Sequence, residues 1–219
     1  MKQNLTELVV VLDRSGSMSS CRLDMEGGLR ALTADQQQLP GECHLTLVQF
    51  DDIYELVFSS KPIQEVSEIR LEPRGMTALL DAVGRTIDSV GSRLSNTPED
   101  QRPQLVIFII ITDGQENAST RYNRAQVAQM ISHQRDVYSW QFTYLGANVD
   151  AFAEAGGLGI AKQQAAVYTA ATVKPSIDIL SANIGATRAT GDPVHMAYSA
   201  LQRITMNPKD PGTEDKGQA

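Results

Sequence analysis

Two uninterrupted apolar segments constrain the fold of this chain more than any other feature of its sequence. Residues 5–12 (LTELVVVL) and 105–111 (LVIFIII) are rich in β-branched and apolar side chains and show almost no polar alternation. Strands of this kind are typical of parallel sheets that are covered by helices on both faces. Asp13 follows the first segment directly, and Thr112 and Asp113 follow the second. The sequence therefore predicts two buried strands whose carboxyl ends carry polar side chains.

Strand and helix patterns alternate along the rest of the chain. The predicted strands also include 43–52, 54–62, 139–147 and 165–170, and the predicted helices are 21–39, 77–94, 123–135, 149–155 and 176–204 with a break at 191–193. The short Asp51-Asp52 connection predicts an antiparallel hairpin at a sheet edge. This alternation indicates an α/β fold with a mostly parallel six-stranded sheet and helices on both faces. We expect a single domain over residues 1–205 and a disordered polar tail over 206–219.

Charge, apolar patterning and cysteine usage argue against several classes of function. The 19 basic and 26 acidic residues give a net charge of −7, whereas nucleic-acid or anionic-membrane binding needs a basic surface. The most apolar stretch, 105–111, is far shorter than the roughly 20 residues that span a bilayer, and the N-terminus lacks a secretory signal pattern. The two cysteines indicate no disulfide framework. We expect a cytoplasmic protein that binds neither nucleic acid nor membrane.

Five oxygen-bearing side chains lie where strands end or a helix begins. They are Asp13, Ser15, Ser17, Thr77 and Asp113. In open α/β sheets, ligands bind outside the carboxyl ends of the strands, so these groups are candidates for one site. Hard oxygen ligands suit Mg²⁺, or Mn²⁺ in its place, and suit Zn²⁺ or copper poorly. Two carboxylates neutralise a divalent ion at most; if one or both Asp act through water, the ion keeps positive character, and an octahedral ion then has a position that an outside carboxylate can fill.

The segments LDRSGSM, GMTALLDAV and ITDGQEN together resemble the metal-ion-dependent adhesion site of von Willebrand factor A domains. Their order and spacing agree with the DxSxS, Thr and Asp elements of that site, and the resemblance covers about residues 5–205. It implies a doubly wound sheet with one antiparallel edge strand. It also implies that Ser15, Ser17 and Thr77 bind the metal directly, that Asp13 and Asp113 bind it directly or through water, and that an Asp or Glu of a partner protein completes the coordination.

Several neighbouring residues have simpler interpretations. Thr77 is placed to act as the N-cap of the 77–94 helix, in addition to any metal role. Asp51 and Asp52 are predicted turn residues, with Asp51 near the rim of the site. Glu116 and Asn117 are predicted to be solvated loop residues. The three histidines and two cysteines fall outside the motif, so we expect structural roles for them.

The leading hypothesis is a non-catalytic, metal-dependent protein-binding module that serves as an adaptor or scaffold. A Mg²⁺-dependent hydrolase or phosphotransferase is the alternative, since phosphate could occupy the same coordination position. Against it, Ser15 stands where an aspartyl-phosphate enzyme has its second acid, and the sequence has no phosphate-binding loop and no nucleophile elbow. A third possibility is a metal that only stiffens the surrounding loops.

Overall fold

A single mixed sheet organises the fold, and its two most apolar strands lie at the centre. The computed structural model describes residues 1–147 and 150–209, so residues 210–219 of the predicted tail lie outside the described part. The strand order is β3-β2-β1-β4-β5-β6, and only the pairing of β2 with β3 is antiparallel. The strands are β1 (Lys2–Asp13), β2 (Glu42–Phe50), β3 (Tyr54–Pro62), β4 (Pro103–Thr112), β5 (Gln141–Gly146) and β6 (Ala165–Val167).

In residues 1–147 and 150–209, six α-helices cover the two faces of this sheet. They are α1 (Arg22–Gln38), α2 (Leu79–Asn96), α3 (Arg124–Tyr138), α4 (Ala151–Gly157), α5 (Val173–Thr190) and α6 (Ala200–Met206). One face packs against α1, α5 and α6, and the other packs against α2, α3 and α4. The alternation of side chains along β1 explains the division, because Val10 faces the first helix layer while Val9 and Val11 face the second.

The predicted α/β architecture is confirmed, including the antiparallel edge hairpin. The sixth strand is shorter than predicted: it ends at Val167, and residues 170–172 form a 3₁₀ turn. The predicted break near Gly191 is also present, with Gly191 in the left-handed region at φ 72° after α5. Asn123 caps α3 as predicted, and its side chain accepts from the backbone N–H of Gln126. Of the predicted 149–155 helix, residue 149 lies outside the described residues.

The central position of β1 sets the location of the candidate site. β1 pairs in parallel with β2 on one side and with β4 on the other, and the chain reverses its direction of winding between β1 and β4. Such a reversal leaves a crevice at the carboxyl ends of the two strands. Leu12 aligns with Ile111 in the register, so Asp13 and Thr112 emerge side by side at this crevice.

Candidate metal site

Asp13 forms the buried base of the crevice between β1 and β4. Its side chain is fully inaccessible to solvent. One carboxylate oxygen, Oδ2, accepts a 2.6 Å hydrogen bond from the Thr112 hydroxyl, and Oδ1 accepts one of 2.6 Å from the Ser15 backbone N–H. The two strand ends are thus joined through one carboxylate, which also fixes the start of the following loop.

A chain of hydrogen bonds connects this loop to Asp113. The hydroxyls of Ser15 and Ser17 lie 3.0 Å apart, and the Ser17 hydroxyl donates to Asp113 Oδ1 at 2.6 Å. Ser15 is buried, Asp113 is half-buried and Ser17 is exposed. This chain of hydrogen bonds therefore extends from the buried carboxylate of Asp13 to the protein surface.

Thr77 reaches the same point from the opposite side. A Cβ atom placed on Gly114 would lie 2.7 Å from Thr77 Oγ1, 3.5 Å from Asp13 Oδ2 and 3.5 Å from Ser15 Oγ. Three side-chain oxygens from three separate segments consequently surround the space beside Gly114. All five predicted site residues are brought together, four through hydrogen bonds and Thr77 through this shared space.

The folded chain disfavours ionisation of the two carboxyl groups of the site, those of Asp13 and Asp113. Burial raises the pKa of Asp13 above its ordinary value, although hydrogen bonds from Thr112 and Ser15 act in the opposite direction. Burial also raises the pKa of Asp113 against the hydrogen bond from Ser17, and the negative charge of Asp13 raises it further. Within the described residues, neither carboxylate takes part in an ion pair. A bound cation would stabilise the ionised form of both groups.

The chemistry of the donors fits a hard divalent cation. The site offers two carboxylates and three hydroxyls, which are the ligands that Mg²⁺ and Mn²⁺ accept. No group of three or more His, Cys, Asp or Glu side chains suited to a metal occurs in residues 1–147 and 150–209. Any ion held at this crevice would therefore depend on the three hydroxyls as well as on Asp13 and Asp113.

The predicted N-cap role of Thr77 is wrong. Helix α2 begins at Leu79 after Ala78. The Thr77 backbone is held in place by Asn117, whose Oδ1 accepts from the Thr77 N–H at 2.9 Å and whose N–H donates to the Thr77 carbonyl at 3.0 Å. Thr77 is therefore anchored before the helix, which leaves its hydroxyl at the crevice.

The free N–H groups at the start of α2 are bound instead by side chains of residues 116–119, a loop that is distant in sequence. Glu116 accepts from the Leu80 N–H at 2.8 Å, and the Ser119 hydroxyl accepts from the Asp81 N–H at 3.0 Å. A carboxylate at this position is also favoured by the helix dipole. Glu116 and Asn117 lie in a loop as predicted, and Asn117 is exposed, but the side chains of both also hold backbone groups beside the site.

Asp51 couples two loops of the site from beneath. It is buried, and its Oδ2 accepts from Arg14 Nε at 3.0 Å and from Arg74 Nε at 2.8 Å. Its carbonyl accepts from the Ala78 N–H at 2.9 Å. Burial raises the pKa of Asp51, but the hydrogen bonds from Arg74 and the Ile53 N–H, together with the charges of Arg14 and Arg74, outweigh burial and lower the pKa. The predicted turn residue is therefore an ionic anchor for the segments that carry Ser15 and Thr77.

Gly75 lets the 74–77 segment pass close to the hairpin turn. It adopts φ 66°, and a Cβ atom there would lie 2.0 Å from Asp52 Oδ1.

The residues with predicted structural roles lie elsewhere: His44 contacts Ser60, and Cys21 and Cys43 are free and buried.

Comparisons with known proteins bear on the fold. No protein-family model matches the sequence, and no curated protein matches it. Solved structures do match. Proximal thread matrix protein 1 from the mussel byssus is 14% identical with a TM-score of 0.57, over 83% of this chain and 46% of that chain. A von Willebrand factor type A protein from Catenulispora acidiphila is 17% identical with a TM-score of 0.52, over 83% and 42%.

A mutant of the PilB minor pilin from Streptococcus sanguinis is 12% identical with a TM-score of 0.56, over 88% of this chain and 64% of that chain. The fold is von Willebrand factor A-like. At these identities the likeness concerns the fold alone, and this chain spans less than two thirds of each matched chain. No helix in residues 1–147 and 150–209 is long and apolar enough to cross a membrane.

Proposed function

We propose that this chain is a non-catalytic protein-binding module that holds one Mg²⁺ or Mn²⁺ ion and captures an Asp or Glu side chain of a partner. Asp13, Ser15, Ser17, Thr77 and Asp113 would hold the ion, directly or through water. The observation that carries the proposal is the convergence of these five groups at one crevice, with two carboxylates that no cation of the described chain neutralises.

The five site residues range from buried to exposed, which supports binding of a partner at the ion rather than an ion that only stiffens the loops. Asp13, Ser15 and Thr77 are buried, whereas Ser17 is exposed and Asp113 is half-buried. An ion held by these side chains would have protein on its inner side and open access on its outer side. A carboxylate of a partner is the natural ligand for such a position, because it adds the negative charge that a partly neutralised divalent ion favours. Structural relatives that include a von Willebrand factor type A protein are consistent with an adaptor or scaffold role.

Calorimetric titration with Mg²⁺ tests the metal site. We expect one ion per wild-type chain and loss of binding in Asp13→Ala and in Asp113→Ala. Asp24→Ala is a matched control, because Asp24 is an exposed aspartate on α1. Equal affinity in all four proteins would contradict the assignment.

Capture of partners tests the protein-binding role separately. Proteins retained by the immobilised chain in Mg²⁺ should be released by a chelator and should not be retained by Asp13→Ala. If chelation lowers the melting temperature but leaves retention intact, the ion only stiffens the loops and the binding proposal is wrong.

A further inference from the structure

A cavity beside the candidate metal site is lined by two arginines, Arg85 and Arg121, that form no salt bridge within the described residues. Its volume is about 330 Å³, and its walls come from the β2–β3 turn, the first turns of α2 and the loop before α3. Cavities that bind small groups start at about 300 Å³. Its lining includes the apolar and aromatic side chains of Ile53 and Tyr54 and the cationic side chains of Arg85 and Arg121.

The cavity and the metal site share their supporting segments. Ala78 lines the cavity and follows Thr77 in the chain. Ala118 lines it from the other side and follows Asn117, which is hydrogen-bonded twice to Thr77. The cavity therefore adjoins the segments that carry Thr77 and Asn117.

The arginines are available for an external anion. The Arg85 guanidinium lies over the Tyr54 ring at 4.1 Å from the centroid. This cation–π contact holds the guanidinium at the ring without using its N–H groups in a salt bridge, so they can donate to an anion. In the part of the chain that the structure describes, neither Arg85 nor Arg121 forms a salt bridge.

The acids of the cavity wall are already engaged with other groups. Asp81 accepts three backbone N–H groups, those of residues 120, 121 and 122, at 3.0, 2.9 and 2.8 Å. Asp51 is paired with Arg14 and Arg74. Asp52 accepts from the Met76 N–H at 3.3 Å. Asp51 and Asp81 are therefore occupied as acceptors, and Arg85 and Arg121 remain as the cationic donors of the cavity.

We infer that this cavity binds a second carboxylate of the same partner, so that the chain recognises an acidic peptide with two anchors. The inference rests on the proposed function, because the first anchor is the carboxylate at the metal. Arg85 lies six residues into α2 from Leu79, which is about 9 Å along the helix axis. An extended peptide covers that distance in about three residues. Two acids separated by two residues are therefore the spacing to test first.

NMR titration with short peptides tests this inference. The probe is acetyl-Gly-Glu-Pro-Pro-Glu-Gly-amide, in which the two prolines keep the acids extended. The comparison peptides have one Glu or the other replaced by Gln. With Mg²⁺ present, we expect the wild type to bind the diacid at least tenfold more tightly than either monoacid. The amides of residues 53, 54 and 118–121 should shift only with the diacid.

Charge-removing variants locate the second anchor. Arg85→Gln combined with Arg121→Gln should lower diacid affinity to that of the monoacids and leave monoacid affinity unchanged. Arg30→Gln is the matched control, since Arg30 is an exposed arginine on α1, on the opposite face of the sheet. An unchanged melting temperature will verify that the double variant is folded.

The possible outcomes separate the two proposals. Equal wild-type affinity for diacid and monoacids, or an undiminished preference in the double variant, overturns the second anchor. Binding of inorganic phosphate at the cavity in place of the diacid overturns its assignment to a carboxylate. Monoacid binding that survives both chelator and Asp13→Ala overturns the proposed function, whereas the arginine-dependent part of diacid binding can still be measured.

Discussion

Gly114 is the position at which one methyl group tests the geometry of the metal site. The Cβ of Gly114→Ala would lie 2.7 Å from Thr77 Oγ1, a separation at which one of the two groups must move. The Thr77 backbone cannot retreat easily, because Asn117 holds both its N–H and its carbonyl and Ala78 is held by Asp51. The easiest response is rotation of the Thr77 side chain, which takes its hydroxyl away from the crevice.

Displacement of one hydroxyl should weaken metal binding without unfolding the chain. Loss of a group that orients or completes a metal site costs about 10- to 100-fold in affinity, or about 1.4–2.7 kcal/mol. Stability in chelator should fall by less than about 2 kcal/mol, because only one side chain has to rotate. Calorimetric titration with Mg²⁺ and urea unfolding in chelator measure the two quantities.

A double-mutant cycle isolates the contact between the two residues. If Ala at position 114 acts by displacing Thr77, Gly114→Ala should have little further effect on Mg²⁺ affinity in a Thr77→Ala background. Gly27→Ala is the control, since a Cβ at this exposed helical position meets no atom within 4 Å. Wild-type Mg²⁺ affinity in Gly114→Ala would refute the geometric argument.

Three further substitutions test the supports of the site and of its helix. Asp51→Asn should cost about 1–3 kcal/mol at neutral pH, because the buried Arg14 loses one of its two acidic partners and keeps Glu55. Since the folded-state pKa of Asp51 is lowered, its contribution is present above the unfolded value of about 3.9 and is lost as the pH falls through the folded value. The difference from wild type in urea unfolding should therefore shrink in acid. Asn117→Ala leaves the Thr77 N–H without its acceptor. It should lower the free energy of unfolding by about 1–3 kcal/mol in the same urea assay and weaken Mg²⁺ binding about tenfold. Wild-type values for both quantities would contradict the anchoring role of Asn117. Gly84→Ala places a Cβ 2.5 Å from a ring carbon of Tyr122 and should lower the free energy of unfolding by about 1–3 kcal/mol, whereas an unchanged melting curve would show that the ring moves freely.

The fold was accessible from sequence because its strongest patterns are local. The apolar runs that became β1 and β4 have the length and composition of covered strands, and the polar residues that end them mark the switch point. The hairpin of β2 and β3 followed from the short Asp51-Asp52 connection, and the turn in the structure covers residues 51–53. Short elements were harder, because the register of β6 with β5 covers only three residue pairs.

The supports of the site depend on contacts between distant residues, which a single sequence does not display. Thr77 before a helical pattern suggested an N-cap, but the groups that bind the first turn of α2 come from residues 116–119. Asp51 is a turn residue as predicted, and its Oδ1 accepts from the Ile53 N–H, but its two arginine partners lie 37 and 23 positions away in the chain and were not predicted. Sequence reasoning identified the groups that point into the crevice and missed those that hold them there.

A crystal structure of the wild-type chain with Mn²⁺, with anomalous scattering recorded, tests the central claim most directly. The account predicts one anomalous peak among Asp13, Ser15, Ser17, Thr77 and Asp113, with at least one coordination position occupied by water or by a carboxylate of another molecule. Absence of a peak at this crevice, or an ion enclosed entirely by protein ligands, would contradict it.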